Sequence, residues 1–285
     1  MNDAVKGVRG SRNVEDRRRS GARGGGRAAG GIGGVGLLVV LAIGYFAGID
    51  VTPLLQGTAP TNESSAPREL TAEEEQAAQF ASRVLATTET VWENVFAEQL
   101  GLEYDPPVLV LFSGATRSPC GGASGATGPF YCPADSKAYL DTDFFVTLSR
   151  RLGARGDFAA AYVIAHEVAH HVQNELGILP EVNARRQAAS QTQANALTVR
   201  LELQADCLSG VWASHVEGLL EPGDIEEALN AARKIGDDHL QKSAGRVPQP
   251  HTFTHGTSQQ RAHWFATGYE SGQVQQCDTF GAARL

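Results

Sequence analysis

Apolar positions change their spacing several times along the chain, and each change predicts an element. From Thr71 onward Phe80, Val84, Leu85, Val91, Trp92, Val95 and Phe96 recur at helical intervals. Thr71 followed three residues later by Glu74 forms a capping box, so the pattern predicts one long amphipathic helix running to about Leu100. The run PVLVLF from Pro107 to Phe112 follows a Pro pair and is rich in β-branched residues, which predicts a buried strand. Two more short strands are predicted at Phe130 to Cys132 and Ala138 to Leu140, across the turn-prone Pro133 to Ser136. Beyond them the spacing turns helical, with helices expected near 143–152, 157–176, 181–217, 224–241 and 258–271; Asp157 is expected to cap the second, and Thr257 or Ser258 the last. No internal repeat is present. The elements imply an α+β domain, mainly helical, with a small sheet at one end of a helical bundle.

Two N-terminal segments break this pattern. Ala28 to Ile49 reads AAGGIGGVGLLVVLAIGYFAGI, uncharged throughout and long enough to cross a bilayer as a helix. Residues 50–70 are rich in Pro, Thr and Ser without apolar period, as in a linker. Charge adds an orientation. Eight of the 24 Lys/Arg and three of the 32 Asp/Glu lie in residues 1–27, so the remainder carries 16 basic and 29 acidic residues, a net of -13. A body this acidic offers no footprint for a phosphate backbone, which argues against nucleic-acid partners. The basic flank before the apolar stretch predicts, by the positive-inside rule, that residues 1–27 form a disordered cytoplasmic tail. On that reading 28–49 is a transmembrane helix contacting the lipid bilayer, and residues 71–285 form a domain outside the cytoplasmic membrane. A cleaved signal peptide is the alternative, but Tyr45, Phe46, Ala47 and Gly48 lack the paired small residues that cleavage uses.

An extracytoplasmic domain with four cysteines permits disulfides. Three connectivities are possible. Cys120 and Cys132 are close in sequence and would close a small loop, which favours a second bridge from Cys207 to Cys277; the competing reading leaves Cys207 a buried free thiol.

The chemistry concentrates in two segments. In AAYVIAHEVAHHVQNELG, His166 and His170 stand at i and i+4 on a predicted helix, so both imidazoles can reach one Zn²⁺. Glu167 lies about 100° round the helix, beside the water such a metal would activate, where it can act as catalytic base. In VRLELQADCLSGVWASH, Glu202 and Asp206 are again i and i+4. Glu202 is the candidate third ligand, leaving a fourth position open, and Asp206 the candidate acceptor for the free ring N–H of His166. His171 points away from its neighbouring ligand and is expected to cap or to face solvent. His255, in PHTFTHGTSQQR, is a candidate to stabilise the oxyanion of a tetrahedral intermediate, with Tyr139 and Arg261 as weaker candidates.

These motifs resemble the glutamate-ligand zincins, the thermolysin-like clan in which HExxH on one helix is followed by ExxxD on another. The chain is more closely similar to the bacterial putative neutral zinc metallopeptidase family, through HEVAHHVQ at 166–173, ELQADC at 202–207, FTHGTSQQR at 253–261 and CDTF at 277–280. That resemblance implies a zincin fold with its cleft between the sheet and the HExxH helix, one zinc ion per chain, and hydrolysis of a peptide or protein substrate. An exposed edge strand at 130–132 or 138–140 would receive the substrate, and the Gly-rich 121–128 stretch could overhang it. The rival reading is an envelope scaffold or binding protein that holds zinc without catalysis.

Overall fold

A computed structural model of the chain describes residues 5, 7–19, 69–124, 128–145, 148, 156–216 and 219–285. Its fold is mixed α+β and mostly helical, as the apolar spacing implies. Four strands form one sheet: β1 (Val14–Asp16), β2 (Val108–Phe112), β5 (Phe130–Cys132) and β6 (Lys137–Asp141), in the order β1-β2-β6-β5. β1 and β6 run parallel to β2, whereas β5 is antiparallel to β6. Strands β3 (Ala115–Ser118) and β4 (Gly121–Ser124) make a separate antiparallel ribbon, so the Gly-rich stretch begins as a strand; residues 125–127 lie outside the described residues.

Strand alternation explains the unbroken apolar run on β2. Leu109 and Leu111, with Ala138 and Leu140 of β6, face the main core, while Val110, Phe112, Tyr139 and Cys132 pack on the opposite face against Ala123. The main core is completed by α1 (Ala72–Val95), which buries the predicted Phe80, Val84, Leu85, Val91, Trp92 and Val95 and is opened by the Thr71–Glu74 capping box. A π-helical turn at Phe96–Leu100 follows, closed by left-handed Gly101.

Helix α2 (Asp157–Glu175) is buried nearly all round and packs on β5 and β6, the position that brings its HExxH turn beside the sheet edge. Gly156, not Asp157, precedes it and gives no side-chain cap. The long helix expected over 181–217 is two, α3 (Ile178–Gln187) and α4 (Gln191–His215), because Ser190 opens a fresh capping box with Gln193. Likewise 224–241 divides into α5 (Asp224–Lys234) and α6 (Asp237–Ser243). At the break, a Cβ on Gly236 would lie 2.4 Å from the Ser258 backbone nitrogen, so only glycine lets this corner approach α7 (Ser258–Ser271), which Thr257 caps as expected. The helix expected at 143–152 falls mostly outside the described residues.

The N-terminus requires a correction. Residues 1–27 were expected to be a disordered tail, yet Val14, Glu15 and Asp16 pair with Leu109, Val110 and Leu111. Charges at residues 15–18 pair locally: Glu15 takes Arg17 and Lys137, and Arg18 takes Asp16 and Glu75. The apolar stretch 28–49 lies outside the described residues, and among those described no helix is long and apolar enough to cross a membrane. The cysteines pair as Cys120–Cys132 and Cys207–Cys277.

Candidate metal centre and active site

Helices α2 and α4 pack together and bring the two predicted pairs face to face. Glu202 lies between the imidazoles, with Oε2 3.1 Å from His166 Nε2 and Oε1 3.5 Å from His170 Nε2. One donor atom from each residue falls within 4.8 Å of the others, and all three side chains are buried. The opposite ring nitrogens are also held. His170 Nδ1 donates to Gln173 Oε1 at 2.8 Å, which leaves Nε2 as the lone-pair nitrogen facing Glu202. Gln173 is fixed in turn, donating to Leu201 O and Gln204 Oε1, and Gln204 donates to Cys277 O. His166 Nδ1 lies 3.0 Å from Asp206 Oδ1, the partner expected for it, although the approach is bent.

Asp206 is fully buried and heavily restrained. Arg261 donates to it through Nε and Nη2, both at 2.8 Å, and Tyr162 donates its hydroxyl to Oδ1. Burial alone would raise the Asp206 carboxyl, but the Arg261 charge and the His166 bond hold it below the usual carboxylate range. Burial likewise opposes charge on Glu202, and His170 and His166 overcome it, holding that carboxyl well below its ordinary value. At His166 burial pulls the imidazole down, whereas bonds to Asp206 and Glu202 push it up to about 9. Two buried carboxylates thus flank the imidazoles, and of the two it is Asp206 that Arg261 bonds directly. The donor set of two Nε2 atoms and one carboxylate, with each imidazole braced from behind, fits a zinc ion at that place.

Glu167 belongs to the same turn of α2 but not to the donor cluster; burial raises its carboxyl above the ordinary value, and the neighbouring His170 and His166 offset part of this. A raised carboxyl beside a metal suits a proton carrier. His255 comes from the corner before α7 and is close enough to feel the Glu202 charge. Asp237 organises that corner: its Oδ2 accepts backbone N–H groups from Thr254 at 2.8 Å, His255 at 2.6 Å and Gly256 at 3.0 Å, while Oδ1 stands 3.4 Å from His255 Nδ1. Burial lowers the His255 imidazole, and Asp237 and Glu202 together more than restore it, so the net direction is upward.

Other expectations resolve differently. His171 is buried, not exposed, with Nε2 donating to Asp105 O at 2.6 Å and Nδ1 accepting from Tyr131 at 3.0 Å; it ties α2 to the sheet edge. Tyr139 lies on the sheet face turned away from α2 and donates to Asp135, so it does not reach the cluster. Arg261 is committed to Asp206. Of the two candidate substrate strands, β6 is interior and β5 is the edge beside α2.

Three residues were missed. Gln173 stands three positions after His170 and Tyr162 four before His166, the same helix face in each case, so helical spacing could have found both. Asp237 precedes His255 by 18 residues across a corner, and no local signal marks it.

A family described as Putative neutral zinc metallopeptidase matches residues 4–280 of the chain. Among relatives, Uncharacterized protein YpfJ of Escherichia coli (strain K12) is 50% identical over 284 residues, covering 97% of this chain and 98% of that protein. Uncharacterized protein Rv2575 of Mycobacterium tuberculosis (strain ATCC 25618 / H37Rv) is 44% identical over 219 residues, 71% of each chain. No solved structure matches.

Proposed function

Because the chain belongs to the Putative neutral zinc metallopeptidase family, we propose that it hydrolyses peptide bonds with zinc held by His166, His170 and Glu202. The observation that carries this reading is the convergence of three buried donors with Glu167 beside them. Among the described residues no further His, Cys, Asp or Glu joins the three, consistent with the open position that catalysis requires and a purely structural zinc site lacks.

Zinc, when bound there, supplies Lewis acidity toward the scissile carbonyl and its attacking water. The chain supplies the rest. Glu167 takes a proton from the attacking water and passes it to the leaving amine. His255, held by Asp237, donates a hydrogen bond to the oxygen that becomes negative during attack. Asp206 orients His166, and Gln173 orients His170, so neither ring needs to reorganise. The β5 edge, 130–132, offers main-chain groups to an extended substrate. The two disulfides support an oxidising compartment outside the cytoplasm as the place of action, and the uncharged apolar sequence of 28–49 supports attachment to the lipid bilayer.

Metal content and cleavage of a peptide library test the proposal on wild type, Glu167→Gln and His166→Ala. Wild type is expected to bind one zinc and cleave; Glu167→Gln keeps the metal and loses at least about 100-fold in kcat; His166→Ala loses the metal. Unchanged cleavage by Glu167→Gln would overturn the mechanism, and zinc binding without any cleavage by wild type would turn the reading to the zinc-holding scaffold.

A further inference from the structure

The N-terminal segment is bonded into the domain at every level. Its backbone completes a parallel ladder on β2, with Leu109 N–H donating to Asn13 O at 2.8 Å and Arg17 N–H to Leu111 O at 2.7 Å. Upstream, Ser11 N–H donates to Ser82 O at 3.0 Å, and the Ser11 and Asn13 side chains both donate to Glu89 of α1. Downstream, Arg18 is 5% exposed and donates to Glu74 O at 2.6 Å. The family match begins at residue 4, so the segment belongs to the shared domain.

This docking is incompatible with the orientation read from charge alone. A single crossing by 28–49 would leave β1 in one aqueous compartment and β2 in another, and strands cannot pair through a bilayer. Three of the eight basic residues that suggested a cytoplasmic tail have another explanation in the fold: Arg17, Arg18 and Arg19 pair with Glu15, Asp16 and Glu75. They neutralise acids around the β2 edge, so they are weak topological signals. We infer that residues 7–19 and the metal centre lie on one side of any membrane the chain touches, and that the stretch 28–49 does not carry the chain across in a single pass. β1 is an integral strand that returns to its own sheet after the intervening chain, covering an edge that β2 would otherwise present to other strands.

The inference does not depend on catalysis, and two measurements on the full-length protein test it. All four native cysteines are in disulfides, so an introduced cysteine is the one reactive thiol. Arg12→Cys and Val247→Cys, both exposed, are labelled separately in intact spheroplasts with a membrane-impermeant maleimide. Both labelled or both protected is the expected result and identifies the compartment; one labelled and the other protected overturns the inference. The second measurement reads docking itself. A Cβ on Gly10 would lie 3.4 Å from Ser82 Cβ, near the spacing of a disulfide, so Gly10→Cys with Ser82→Cys should bridge under a permeant oxidant. The bridge is expected as a mobility shift on non-reducing gels that the pair Gly10→Cys with Val247→Cys does not give. Absence of the shift, with both thiols still alkylatable, would mean that β1 is not docked and the inference fails.

Discussion

At the scale of single residues, the Asp206 carboxylate decides how His166, a proposed metal ligand, is held. It stands between His166 and Arg261 with no exposure to solvent, so each partner compensates a desolvated charge. Removing one member of a buried pair leaves the other uncompensated, which typically costs about 3–5 kcal/mol. Arg261→Met is therefore expected to lower unfolding stability by about that amount, with Arg261→Lys recovering only part because it cannot donate through both Nε and Nη2. Asp206→Asn is expected to remain folded and bind zinc about 10–100-fold more weakly, measured by competition with a chromophoric chelator. Equal zinc affinity in Asp206→Asn and wild type would remove Asp206 from the site's function. This part of the centre was legible in the sequence because i, i+4 spacing on two helices fixes which side chains share a face. The role of Arg261 was not, since it read as a weaker candidate for stabilising an oxyanion, and only the packing of α7 against α4 shows it turned inward to Asp206.

Among elements, the junction between α4 and α7 is a close one, and it is made by glycine. A Cβ on Gly268 would lie 1.8 Å from Cys207 O, and one on Gly210 would lie 2.1 Å from Phe265 O, both against backbone that no side-chain rotation can clear. Helix propensity favours alanine over glycine by about 1 kcal/mol, but here the helices would have to separate, and overpacking costs about 1–3 kcal/mol or more. Gly268→Ala is expected to lower Tm by several degrees and to weaken zinc binding, because α7 carries Arg261. Gly122→Ala, whose Cβ would meet nothing within 4 Å, is the control and should change neither. A stable Gly268→Ala variant with unchanged zinc affinity would show that the α4–α7 spacing does not set the site. The sequence showed α1 through its apolar stripe and cap, α2 through its continuous apolar run around HExxH, and α7 through its cap. It concealed the breaks at Ala188–Ser190 and Ile235–Gly236, where the chain turns without a proline, and it concealed β1, whose three residues Val14, Glu15 and Asp16 carry no strand periodicity. Such a strand forms because a waiting β2 edge and acids on α1 select it, a tertiary cause that local spacing cannot display.

For the whole molecule, the two disulfides divide stability from function. Cys120–Cys132 spans 12 residues beside the outer face of the sheet, whereas Cys207–Cys277 spans 70 and ties the C-terminal tail to α4. Loop entropy gives about 3 kcal/mol for the shorter bridge and about 4 kcal/mol for the longer. Their positions differ more than their energies. Cys207 follows Asp206 directly, and Cys277 O accepts from Gln204, which is bonded through Gln173 to His170. The same tail is clasped by Arg200, which donates to Thr279 O, while Thr279 donates to Arg200 O. Replacing Cys207 and Cys277 by alanine should therefore lower both stability and zinc affinity, whereas replacing Cys120 and Cys132 should lower stability with little change in zinc affinity. Denaturant melts and chelator competition on the two double variants separate these effects. If both variants lose zinc affinity in proportion to their stability, the C-terminal tail contributes only rigidity; if the long bridge alone matters to zinc, the bonds from the tail to His170 hold the metal centre in register with the rest of the fold.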